Sequence, residues 1–145
     1  MQVGGRNLLL NTSFDGEISK IYNLPLSATS GEGGLTFPLS KALVAGTEVA
    51  IQFQVRGLAN LNIYWIMTGG NNAQTVISKS QISATNFSTI TQRYTIPEGR
   101  TLNSVFICTA YGNSTPGTDW FEIKTQTLKL EVGQVSTDWT PAPED

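Results

Sequence analysis

The sequence predicts an all-β domain built as a two-sheet antiparallel β-sandwich. Three observations carry that expectation. Short β-branched or aromatic runs recur between clusters of Gly, Asn, Ser and Thr. Apolar residues alternate with period two inside those runs. No window of helical length carries a 3.6-residue apolar stripe. At 145 residues the chain suits one domain with a core of its own.

Taken in chain order, the expected strands are "NLLL" (7–10), "SKIYN" (19–23), "LTF" (35–37), "TEVAIQFQVR" (47–56) and "LNIYWIM" (61–67). They continue with "QTVISKSQI" (74–82), "ITQRYTI" (90–96), "NSVFICTAY" (103–111) and "WFEIKTQTLKLE" (120–131). The turn signals "FDGE", "SGEGG", "VAG", "TGGNN", "IPEG" and "GNSTPG" separate them. "SKALVAG" (40–46) is too short and too close to a glycine for a helix, and reads as a turn into a strand. Within the runs, Val49, Ile51, Phe53 and Val55 claim one face while Ala50, Gln52, Gln54 and Arg56 claim the other. Leu61, Ile63, Trp65 and Met67 oppose Asn62, Tyr64, Ile66 and Thr68. Tyr94 and Ile96 read as inward. Phe121 and Ile123 oppose Trp120, Glu122 and Lys124. One packed face and one wetted face per strand is the pattern of antiparallel sheets stacked in a sandwich.

Composition excludes several functions. Nine basic residues against eleven acidic ones leave a net charge of −2, with the basic residues scattered singly. That is no footprint for nucleic acid or an anionic membrane. Without histidine and with Cys108 as the one cysteine, the chain lacks the base of Ser-His-Asp or Cys-His catalysis, the ligands of His/Cys zinc sites and any intrachain disulfide. Cys108, inside "SVFICTAYG", reads as a small buried hydrophobe. No stretch approaches the roughly 18 apolar residues of a membrane span, and "MQVGGRNLLLN" has no leader pattern. "TGGNN" and "SGEGG" lack the Lys-Ser/Thr of a phosphate loop and read as turns. Asp119 and Glu122 are the nearest approach to a carboxylate pair, but their spacing on a strand points them to opposite faces, which disfavours glycosidase chemistry. No enzyme is expected.

Three segments together carry a family likeness: "GRNLLLNTSFDG" (5–16), "YTIPEG" (94–99) and "LKLEVGQVSTDWTPAPED" (128–145). In them the chain resembles the carbohydrate-binding-type jelly-roll modules of tail and baseplate proteins from phages of Gram-positive bacteria. The resemblance implies a galactose-binding-like jelly roll and a non-catalytic module of a phage tail protein. Such a module would adhere to host cell-wall saccharide as part of the virion, among other phage tail proteins. The alternative it leaves open is a purely structural or assembly module of the tail that binds no sugar. It also implies an organisation of boundary residues over 1–6, one module over 7–139 and an exit linker over 140–145. Leu128 and Leu130 would complete the core face of the last strand, Gly133 would turn the chain away, and Trp139 would fold back as a lid. Pro141 and Pro143 would then stop further pairing.

A saccharide needs a flat apolar surface for its C–H face and planar polar groups for its hydroxyls. On the wetted faces the candidates are Trp120 and Tyr64 as platforms, with Gln52, Gln54, Arg56 and Asn62 as hydroxyl partners. Tyr111, at the mouth of "YGNSTPGTDW", is a third aromatic candidate. Trp120 is expected beside the Gln52/Gln54/Arg56 row; its other reading is a residue packed under "GNSTPGTD". That polar row by itself reads as a solvated sheet face. Trp65, Trp139, Tyr22 and Tyr94 read as core. No cofactor is required. The resemblance allows a structural calcium ion held by Asp15, with Asn11 and Glu17, on one side and Glu131 on the other.

Overall fold

Period-two alternation forces each strand to bury one row of side chains, and two sheets that do so can only close against each other. The computed structural model describes residues 7–10, 19–27, 33–110 and 114–133. Among them are strands β1 (Lys20–Asn23), β2 (Gly34–Val44), β3 (Glu48–Leu58), β4 (Leu61–Thr68), β5 (Ala73–Ile77), β6 (Ser88–Thr95), β7 (Thr101–Thr109) and β8 (Trp120–Val132). One sheet runs β1-β8-β3-β6 and the other β2-β7-β4-β5. Every pairing is antiparallel. The architecture is the expected jelly-roll β-sandwich.

The core lies between the sheets and takes the rows that the alternation assigns to it. Val49, Ile51, Phe53 and Val55 face Leu61, Ile63, Trp65 and Met67, with Phe121 and Ile123 beside them. Trp65 is buried and stacks on Tyr94 at 4.7 Å and 10°. Its Nε1–H donates to Thr75 Oγ1 at 3.0 Å, so the buried indole keeps a partner.

Register shifts explain why β8 buries both Phe121/Ile123 and Leu128/Leu130, which strict alternation would place on opposite faces. Gln54 pairs with Lys124 but Gln52 pairs with Lys129, so β8 bulges between them. Thr127 stitches the bulge, accepting from the Gln54 N–H at 2.9 Å and donating to the Lys124 carbonyl at 2.6 Å. Elements also differ from expectation at their ends. β2 runs through "SKALV" to Val44 rather than turning there. β5 stops at Ile77 because Ser78 caps a 3-10 turn, Lys79–Gln81, through a reciprocal capping box with Gln81.

The first motif is structural. Asn7 is fully buried and substitutes for a strand partner beside β8. Its Oδ1 accepts from the Leu9 and Leu130 N–H groups, each at 3.2 Å, and its Nδ2 donates to the Leu128 carbonyl at 3.2 Å. Leu8 N–H donates to the Leu130 carbonyl, while Leu10 N–H donates to the Pro38 carbonyl on β2. Residues 7–10 therefore tie β8 of one sheet to β2 of the other. They form a single bridge, Leu9 to Leu39, rather than the full strand expected.

Candidate functional site

The outward face of the β1-β8-β3-β6 sheet carries Gln52, Gln54, Arg56 and Trp120, the group expected to form one groove. The register sets Arg56 opposite Glu122, Gln54 opposite Lys124 and Leu58 opposite Trp120. Arg56 and Glu122 close an ion pair, with Nε donating to Oε1 at 2.8 Å and Nη2 at 2.7 Å. Arg56 Nη1 also donates to the Thr85 carbonyl at 3.0 Å, and the guanidinium lies 4.7 Å from the centre of the Phe87 ring. Lys124 Nζ lies 4.6 Å from the same centre. Ser19 Oγ donates to the other Glu122 oxygen at 2.7 Å.

Burial by itself would raise the Glu122 pKa. The hydrogen bonds from Ser19 and Arg56, with the charges of Arg56 and Lys124, outweigh it and hold the carboxyl below its ordinary value. Glu122 was expected on a wetted face but is buried, because its partners cover it. Trp120 is half-buried rather than exposed, flanked in register by Asn23 and Leu58.

Asn62 and Tyr64 lie on β4, in the other sheet, so their outward face points away from Trp120 and Arg56. The structure therefore separates the expected candidates into two sets. On this second face the register aligns Val76, Asn62, Cys108 and Gly34 in one row. Gln74, Tyr64, Phe106 and Thr36 form the next. Tyr64 is half-buried, tilted 40° against Phe106 at 6.5 Å.

A cleft of about 420 Å³ opens here, lined by Asn60, Asn62, Tyr64, Gln74, Val76, Ser78 and Ala110. That volume falls within the ~300–1,000 Å³ usual for small-ligand sites. Asn62, expected in solvent, instead lines this cleft at 3% exposure. Its Nδ2 donates to Gln74 Oε1 at 3.2 Å, while its Oδ1 has no hydrogen-bond partner. Asn60 Oδ1 accepts from the Lys79 N–H at 2.7 Å, which fixes that amide at the rim.

Gln74, Asn60 and Phe87 were not singled out by sequence reasoning. Gln74 meets Tyr64 only through the β4–β5 register, and Phe87 precedes β6 with no alternation to mark it. Tyr111, Asp15, Asn11, Glu17, Trp139 and the 140–145 linker lie outside the described residues. Of the calcium candidates, Glu131 is described. It is buried with Lys129 Nζ 4.0 Å from its carboxylate.

No protein-family model matches the sequence, and no curated protein matches it. Among solved structures, the tripod from the baseplate of bacteriophage Tuc2009 aligns over 97% of this chain with a TM-score of 0.61 and 15% identity. The two share one fold. The alignment spans 60% of the tripod chain, so the phage protein extends well beyond it. Weaker likenesses include the C-terminal domain of the sugar-binding protein EclA, at TM-score 0.45, 14% identity and 90% of this chain against 81% of that one. Another is TmCBM61 in complex with β-1,4-galactotriose, at 0.42, 16% and 88% against 99%. The expectation raised by the three sequence segments is thus matched, as a fold, by a component of a phage baseplate.

Proposed function

We propose that this chain is a non-catalytic carbohydrate-binding module of a phage tail protein, carried on the virion and adhering to host cell-wall saccharide. One observation carries the reading: a cleft of about 420 Å³ is walled by Tyr64 and lined by the uncharged polar side chains Asn60, Asn62, Gln74 and Ser78. Tyr64 would offer a ring to the sugar's C–H face, while Asn62 and Gln74 would take its hydroxyls. Catalysis has no support in the described residues: Asp119 accepts from the Thr115 N–H and Glu122 is committed to Arg56 and Ser19. Weak contacts per module suffice where a virion displays many copies.

A second reading, an assembly module without sugar binding, is favoured by the baseplate tripod that shares this fold. A fluorescent fusion of the chain separates the two. On the sugar-binding reading it labels Gram-positive host cells and free wall polysaccharide competes it off. Tyr64→Ala should then weaken labelling by at least about tenfold with the fold retained, and Trp120→Ala should label as the parent does. Loss of labelling in Trp120→Ala alone would move the site to the other sheet. Absence of labelling across suitable hosts would leave the assembly reading.

A further inference from the structure

The cleft takes its strand residues from β4 and β5, but the sheet continues past Tyr64 to β7 and β2. The register carries the row of Gln74 and Tyr64 straight on to Phe106 and Thr36. Phe106 is only half-buried on this outer face, with its ring centre 6.5 Å from that of Tyr64. Thr36 beside it is exposed, and Ser104, two positions earlier on the same face, is half-buried. An aromatic ring flanked by hydroxyls repeats the chemistry of the cleft one strand further on.

Charge separates this face from an ordinary solvated one. The rows through Asn62 and Tyr64, and the next row of Ile66, Ser104 and Pro38, hold no Asp, Glu, Lys or Arg. The outer face of the other sheet carries Arg56, Arg93, Glu122 and Lys124. Two rings on a face free of charged side chains leave an uncharged track across the four strands. Strands lie about 4.8 Å apart, so the track runs roughly 14 Å from β5 to β2. A pyranose unit advances a polymer by a length close to one strand spacing. A single sugar over Tyr64 therefore leaves Phe106 uncovered.

We propose that Phe106 is a second sugar platform and that the site binds a run of saccharide units laid across the strands from β5 to β2, a proposal that rests on the sugar-binding reading above. One unit sits over Tyr64 against the exposed Gln74, and the next over Phe106 against Thr36 and Ser104. Affinity then grows with chain length until the track is filled, and a lone sugar is held weakly.

The test is calorimetric titration of the chain with neutral galacto-, gluco- and xylo-oligosaccharides, from monosaccharide to hexasaccharide. Size-graded wall polysaccharide, from a strain that the fluorescent fusion labels, is titrated beside them. The expected result is an affinity that rises about tenfold or more from the shortest binding ligand to the tetrasaccharide and then levels off. Phe106→Ala should lose affinity for the longer ligands far more than for the shortest, whereas Tyr64→Ala should weaken every length. Phe106→Leu keeps an apolar side chain without the flat ring, and it serves where Phe106→Ala fails to fold. A parent that binds all lengths equally, or a Phe106→Leu chain that keeps the full rise, would overturn this inference while leaving glycan binding intact. If no oligosaccharide or wall fragment binds the parent, the sugar-binding reading falls, and this inference with it.

Discussion

Asn7 offers the sharpest test of how the sandwich is held closed. Asn7→Leu keeps the number and branching of the side-chain heavy atoms but removes three hydrogen bonds, each 3.2 Å long. The Leu9 and Leu130 N–H groups and the Leu128 carbonyl then lose their side-chain partner in a buried setting. Leaving a buried backbone group unpaired costs about 1–3 kcal/mol, so three such groups set a ceiling near 9 and a floor near 3 kcal/mol. Because residues 7–10 can shift to let water reach some of these groups, the expected loss is about 3–4 kcal/mol. For a domain of this size each kcal/mol lowers the melting temperature by roughly 3 °C, giving a fall of about 10 °C. Calorimetry of parent, Asn7→Leu and Asn7→Ala checks it. Both variants should fall by at least this much, since the loss comes from stranded polar groups and not from a cavity. If Asn7→Leu melts within 2 °C of the parent, or if only Asn7→Ala is destabilised, the clamp is not what joins β8 to β2.

Two further perturbations follow. Trp65→Ala removes a fully buried ring stacked on Tyr94 and should cost about 3–5 kcal/mol, read as a lower midpoint in urea with an unchanged slope. Glu122 has a depressed pKa, so its stabilising contribution is complete above its unfolded value near 4.5 and is lost as pH falls below it. Melting curves from pH 7 to 3 should show the parent's advantage over Glu122→Gln shrinking below about pH 4.5; a constant gap would mean the ion pair with Arg56 contributes nothing.

Alternation within a strand is local information, and it assigned the core rows of β3, β4 and β8 from sequence. Pairing between strands is not local. Arg56 meets Glu122 across 66 positions, and nothing in "FQVRG" or "WFEIK" announces the other. The Gln52/Gln54/Arg56 row and the Asn62/Tyr64 row lie close in sequence, and their alternation does not say whether they share a surface. The short turn after Leu58 carries the chain from one sheet to the other, and the two rows end on opposite sides. The bulges in β7 and β8 were equally hidden, since a register shift shows only once the partner strand is known. The clamp by Asn7 was visible as part of a motif but not as a mechanism, because its partners on β8 lie more than 120 positions away.

The two outward faces differ in how they treat their polar groups. On the first sheet Arg56 donates to a carboxylate and a carbonyl, Glu122 accepts from two side chains, and Phe87 lies against two cations. Such a network must be broken before it can hydrogen-bond anything else, and breaking a half-buried ion pair for a neutral hydroxyl exchanges charge-assisted bonds for weaker ones. That argues against a sugar displacing Arg56, however well Trp120 is placed beside it. On the second sheet the cleft beside Tyr64 holds no such ion pair among its lining residues. Its polar side chains carry no charge, so a hydroxyl arriving at the exposed Gln74 displaces no ion pair. The difference favours β4 and β5 over β3 and β8 as the binding strands, although the larger aromatic and the only arginine among the candidates sit on the other side.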